Sequence, residues 1–287
     1  MWTAIASASW GTTVCVWTNS PSEAVPYDGW ANAARSLKTA VDFANTNAGV
    51  DSVLATNGTY FILTPIVVTT GITVRSVNGP LVTTVSRAAG SRVFDLQYPG
   101  AALVGLTIRD GSVTDVSHNN SGGGVYSAFS SCMISNCILT ANLANHYGGG
   151  AWGGTAENCT IVSNYAWRSD GWGSGGGVHN TVVTNSIVMF NLGWTNTVDN
   201  WSGGSQLYTC TTPLPGGAGN IAADPLFMSV GARDFRLNGG PCVDAGTNLA
   251  WMGGASDLDG NARIKRSRVD MGAYEWQPPK GAIMLLR

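Results

Sequence analysis

Residues Gly148–Ala166 read GGGAWGGTAENCTIVSNYA, and the same phrasing returns in GGGVYSAFSSCMISNCILTANLA (Gly122–Ala144) and in GGGVHNTVVTNSIVMFNLG (Gly175–Gly193). Aligned on the Asn before Cys or Ser, the copies place Asn136, Asn158 and Asn185 at intervals of 22 and 27 residues, while the glycine triplets recur at 26 and 27. Fixed strands joined by loops of variable length produce that mixture. Periods of this size mark stacked architectures, and the lack of helical periodicity inside the units excludes leucine-rich, ankyrin and helical repeats.

The short runs within each unit are rich in Val, Ile and Thr and alternate with period two. Cys137 and Leu139, Cys159 and Ile161, and Ser186 and Val188 fall on the inward side, with Ile138, Thr160 and Ile187 on the outward side. A fourth turn is placed at Cys210, 24 residues after Ser186. The pattern predicts an all-β fold, a right-handed parallel β-helix or solenoid, whose coils hydrogen-bond along the axis at about 4.8 Å.

Asn tolerates the left-handed backbone of a sharp bend, and its amide can bond the same residue one coil away. Asn136, Asn158 and Asn185 are therefore expected to form an internal ladder, and the glycines to supply bends and close backbone approach. Cys137 and Cys159, stacked at strand spacing, stand wider than the roughly 3.8 Å that disulfide Cβ atoms prefer, so free thiols are expected.

Both ends of a coil stack need covers. GWANAARSLKTAVDFAN sets Trp30, Ala34, Leu37, Val41 and Ala44 on one helical face, predicting a capping helix over about 30–45. From about Ile221 the chain carries more charge and reads as an irregular C-terminal cap. The division is thus 1–220 for the β-helix with its N-terminal cap and 221–287 for a C-terminal cap packed on the last coils, not an independent domain.

Of the 287 residues only 11% are charged, the net charge is −2 and Gly numbers 38. Ordinary soluble domains are about a quarter charged; this surface is covered by small neutral polar groups. Without a Lys/Arg run there is no footprint for nucleic acid or an anionic membrane, and no apolar run approaches the roughly 20 residues of a membrane span. The N-terminus lacks the basic region of a signal peptide.

GNIAADPLF (Gly219–Phe227), FRLNGGPCVDAG (Phe235–Gly246), DLDGNAR (Asp257–Arg263) and VDMGAYEW (Val269–Trp276) resemble the ending of bacterial right-handed β-helix proteins of the choice-of-anchor Q group. PYDGWANAARSLKTAVDFAN, NGTY and VRSVNGP resemble their start. The resemblance spans about Val14 to Trp276 and implies a secreted or cell-surface bacterial protein. It implies no single activity for the group, and QPPKGAIMLLR carries no recognisable anchor.

If Val125, Ala151 and Val178 point inward, then Tyr126, Trp152 and His179 point outward in register. Such a ladder offers aromatic faces to the apolar faces of sugars, with Tyr147 and Trp172 as neighbouring contacts; the competing reading is an external stacking layer under overlying loops. The loops before each triplet bring Arg109, Asp110, Asp115, His118, His146, Arg168 and Asp170 toward the same side. Asp110, His118, His146, Arg168 and Asp170 form the candidate set for general acid/base cleavage of a glycan. Adjacent aspartates with a Gly-His-Gly, as in polygalacturonase-like hydrolases, are not found, nor are the clustered carboxylates of pectate-lyase-like enzymes.

Asp257, Asp259 and Asn261 alternate like oxygen ligands of a Ca²⁺ loop but lack the downstream bidentate Glu. A polar turn paired with Arg263 or Arg266 is the favoured alternative. His118, His146 and His179 sit at different offsets from the glycines, which argues against zinc. Two function classes follow. The first is a monomeric, non-catalytic β-helix that binds a polysaccharide or cell-surface glycan. The second is a polysaccharide lyase or glycoside hydrolase working in a loop-lined groove.

Overall fold

The computed structural model describes residues 12–87, 90–114, 120–167, 173–257 and 259–278. His118, Arg168, Asp170 and Trp172, like Asp115, lie outside the described residues.

The chain winds as a parallel β-solenoid. Each full coil contributes one strand to each of several stacked sheets, and every inter-coil pairing is parallel. A long sheet of eight strands begins at Thr12–Val16 and ends at Ser205–Leu207. A seven-stranded sheet contains Ile138–Thr140, Thr160–Val162, Ile187–Met189 and Cys210–Thr211. A six-stranded sheet contains Phe94–Leu96, Val125–Ser127, Ala151–Trp152, Val178–His179 and Trp201–Ser202. We call the seven-stranded one the covered sheet and the six-stranded one the ring sheet. A narrow sheet of three two-residue strands joins them.

The alternation read from the sequence is the one observed. Cys137, Leu139, Cys159, Ile161 and Val188 lie in one continuous core with Val125, Ala151 and Val178. All six cysteines are free, including Cys137 and Cys159. Burial pushes the Cys137 thiol up to about 12, so it packs as a small apolar residue. Trp201, in register with Val178, plugs the last coil, and its Nε1 donates to the Pro213 carbonyl at 2.9 Å.

The glycine triplets have two separate causes. Their first members, Gly122, Gly148 and Gly175, take φ of +66°, +63° and +66°. The middle member has no room for a side chain: a Cβ on Gly149 would lie 2.4 Å from the Tyr165 carbonyl oxygen and 2.5 Å from that of Gly176.

Four sequence expectations need correction. The predicted asparagine ladder is not the one that forms. Asn136, Asn158 and Asn185 do hold the left-handed corner, with φ of 55°, 50° and 50°, yet their side chains do not bond one another. Asn136 accepts from Arg263, Asn185 pairs with Thr247, and Asn158 has buried amide atoms without a partner. The ladder is built instead by the second asparagine of each unit. Asn142 donates to Asn164 at 3.0 Å, Asn164 to Asn191 at 2.9 Å, and Asn191 to Asn200 at 3.1 Å.

Cys210 is the second correction. It pairs with Ile187, not with Ser186, and Tyr208 takes the left-handed corner (φ 48°) that Asn185 holds one coil earlier. A one-residue slip changes the face: Cys210 points outward and Thr209 inward.

The capping helix runs only from Leu37 to Thr46, with the Ser36 hydroxyl accepting from the Thr39 amide. Ala34 is extended because it bridges Val16, and Trp30 stands in a separate short 3₁₀ turn. Leu37, Val41 and Ala44 are buried on the core as the pattern requires.

The C-terminal segment also reaches further than the last coils. It binds Asn185 through Thr247, Thr160 through Ala273 and Asn136 through Arg263, and its Phe235 lines one concavity together with Leu81. It thus runs back along the outer face of the covered sheet. Ile138, Thr160 and Ile187 point away from the solenoid interior but are buried beneath it.

Candidate functional site

With the covered sheet occupied, the ring sheet presents the most distinctive outer face. Parallel pairing sets Asp95, Tyr126, Trp152, His179 and Ser202 in one outward column. Tyr126, Trp152 and His179 are therefore in register, and each is half-buried.

The rings stand on edge, stacked along the solenoid axis. Tyr126 and Trp152 are 4.7 Å apart and 3° from parallel. The Arg92 guanidinium, from the preceding coil, lies 4.6 Å above Tyr126, so both faces of that ring are used. Arg92 is held by Asp95 at 2.9 Å and by the Ser121 carbonyl at 3.2 Å. His179 does not continue the stack on Trp152. It stacks with Tyr147 at 4.4 Å, and Tyr147 in turn touches His146 at 5.7 Å. Among the described residues, no ring covers the second face of Trp152.

Hydroxyl groups continue the column beyond the rings. Ser174 Oγ lies 3.3 Å from His179 Nδ1 and donates to Ser202 Oγ at 3.3 Å. Asp199 Oδ2 accepts from the Gly175 amide at 2.8 Å. Desolvation lowers the His179 pKa and raises that of Asp199, despite the opposing Gly175 hydrogen bond. Both shifts favour neutral groups.

The remaining candidates fall on more than one face. Asp110 occupies a left-handed corner (φ 62°), where it accepts from Ser86 at 2.6 Å and pairs with Arg109 at 3.1 Å. Arg109 belongs to the covered sheet itself, in the strand Thr107–Arg109, and lines a concavity of about 230 Å³ with Thr84, Leu81, Arg233 and Phe235. His146 stands beside the ring column. The structure brings together Tyr126, Trp152, His179, Tyr147 and His146, and ties Asp110 to Arg109 and Ser86.

In the DLDGNAR turn, Asp257 uses both carboxylate oxygens. Oδ1 accepts from the Asp259 and Asn261 amides at 3.0 and 2.7 Å, and Oδ2 from the Glu275 amide at 2.9 Å. Arg263 pairs with Glu275 at 3.0 Å and Arg266 with Asp244 at 2.5 Å. No group of three or more His, Cys, Asp or Glu side chains suited to a metal ion occurs among the described residues.

Sequence reasoning missed Arg92, Asp95, Ser174, Asp199 and Ser202. The coil holding Asp95 has no glycine triplet, so the repeat offered no way to extend the column upstream. The alternation of Val93, Phe94, Asp95 and Leu96 was the available signal.

Fold and site together define an all-β parallel solenoid with an aromatic column on one outer sheet. Compared with protein-family models, curated protein sequences and solved structures, the chain matches none. No helix among the described residues is long and apolar enough to cross a membrane.

Proposed function

We propose that this protein is a secreted or cell-surface β-helix of the choice-of-anchor Q kind that binds glycan along the ring sheet without cleaving it. The observation that carries this reading is the half-buried Trp152. One of its faces rests on Tyr126, and no described ring covers the other. An aromatic face bordered by hydroxyl and imidazole edges suits a pyranose, whose C–H face packs on the ring while its hydroxyls bond the edges. Ser174, Ser202 and His179 supply such edges. The low charge of the chain favours a neutral saccharide over a polyanion.

A glycan array read beside reducing-sugar release and absorbance at about 235 nm, which reports unsaturated uronates, tests this. Binding without product, lost at least tenfold in Trp152→Ala, is the expected result. Product formation would replace it with the lyase or hydrolase reading, and no binding to any glycan would end it.

A further inference from the structure

We propose that Cys210 and Cys242 are the site of a disulfide that ties the C-terminal segment to the last strand of the covered sheet when the chain folds in an oxidising compartment. This rests on the packing of the segment and not on any ligand at the ring face.

Cys210 is the last member of the outward column formed by Ile138, Thr160 and Ile187. The returning segment covers that column and sets Cys242 into the same apolar cluster as Cys210, Ile187, Leu237 and Met271. Both cysteines are fully buried. The two thiols are near enough to perturb each other's ionisation, and Cys210 Sγ donates to the Ala223 carbonyl at 3.2 Å. The backbone on each side is already fixed. The Cys210 amide donates to the Ser186 carbonyl at 2.9 Å, and the Cys242 carbonyl accepts from Met271 at 2.9 Å. Closing the bond is therefore expected to need side-chain rotation without a change of fold.

The other thiols differ. Cys137 and Cys159 are in-register neighbours on a parallel ladder, with side chains pointing the same way about 4.8 Å apart. Their sulfurs donate at 3.2 Å to the carbonyls of Ser135 and Glu157, as Cys210 does to that of Ala223, so the difference lies in the spacing alone. Cys242 approaches from outside the ladder and is free of that spacing.

The chemistry balances with an external disulfide such as oxidised glutathione. The Cys210 thiolate attacks one sulfur of it and releases one glutathione thiolate, leaving a mixed disulfide. Cys242, deprotonated, attacks the Cys210 sulfur and expels the second glutathione. Two thiols lose two electrons and two protons, and one glutathione disulfide becomes two thiols. With both sulfurs buried in the final fold, exchange takes place before the segment docks.

The full chain is unfolded in urea with reductant, refolded in a glutathione redox buffer, then denatured and alkylated with iodoacetamide. Four of the six cysteines are expected to take the label, with a proteolytic fragment linking residues 210 and 242. The thermal midpoint should exceed that of the reduced chain by about 5 °C. Cys137→Ser should leave the link intact, and Cys242→Ser should let every remaining cysteine be labelled. Six labelled cysteines in the refolded chain, or a link joining Cys137 to Cys159, would overturn the proposal. If Cys242→Ser does not fold, the wild-type fragment map decides alone.

Discussion

Asn164 donates through its side-chain amide to Oδ1 of Asn191 at 2.9 Å, and the same Asn191 oxygen also accepts from the Asn164 backbone amide at 2.9 Å. Each rung repeats this arrangement. Asn164 Nδ2 also reaches the Leu139 carbonyl at 2.9 Å, while its own oxygen accepts from Asn142. These groups are fully enclosed, so the ladder satisfies backbone atoms that water cannot reach.

Asn164→Ala removes one rung and strands several buried donors and acceptors, each costing about 1–3 kcal/mol. A loss of at least about 3 kcal/mol is expected from urea unfolding. Asn158→Gly removes a buried amide that has no partner and keeps a residue suited to positive φ, so its effect should stay within about 1 kcal/mol. Equal losses would show that the corner asparagine, and not the second one, holds the coils together.

Much of the solenoid was legible because it depends on properties a sequence carries locally. Alternation fixed the faces of Cys137, Ile138 and Leu139, and the triplets set Tyr126, Trp152 and His179 in register. Which asparagine forms the ladder was not legible. Asn142, Asn164 and Asn191 recur at the same 22 and 27 residue spacing as Asn136, Asn158 and Asn185, so spacing cannot choose between them. The choice depends on what lies outside each corner, where Arg263 and Thr247 compete for the first asparagine. Cys210 was misread because its coil has lost both the triplet and the corner asparagine, leaving Tyr208 in the bend. Registry gives the column of rings but not the rotamers that turn Tyr126 flat against Trp152, so which ring faces stay open was not legible.

Glu275 is expected to make the protein less stable as pH rises. It is buried beside Arg263, with Oε1 at 3.0 Å from that guanidinium and Oε2 accepting from the Asp270 amide at 3.0 Å. Burial, with the Asp270 charge adding to it, pushes its carboxyl up to about 8, although Arg263 opposes the shift. Its folded pKa thus lies above the ordinary value of 4.5, so the folded chain binds the proton more tightly than the unfolded one. That contribution is complete below about 4.5 and is lost as pH climbs through about 8. Asp270, raised by burial, acts in the same direction. Urea midpoints at about pH 5 and pH 8 should differ in favour of the lower pH, and Glu275→Gln should shrink the difference. A midpoint that rises over this window would show that Glu275 stays ionised on Arg263.

The C-terminal segment should be required for the solenoid to remain soluble. The outer face of the covered sheet is apolar where the segment lies: Ile138, Ile187, Met189 and Cys210 are 3%, 1%, 7% and 0% exposed. Removing residues 221–287 would uncover this strip and also free Asn136 and Asn185 from Arg263 and Thr247. It would also remove Ile221, which covers the edge of the last strand through hydrogen bonds with Thr209 and Thr211 at 3.0 and 2.9 Å. A parallel sheet left with an apolar face and an open edge is a template for association. A chain ending at residue 220 should therefore elute as aggregate and bind a hydrophobic dye, while the full chain does neither. Restoring solubility to that shortened chain by Ile138→Thr with Ile187→Thr would identify the uncovered strip as the cause. A shortened chain that is monomeric and folded without those changes would mean that the segment is an accessory to the solenoid and not part of its packing.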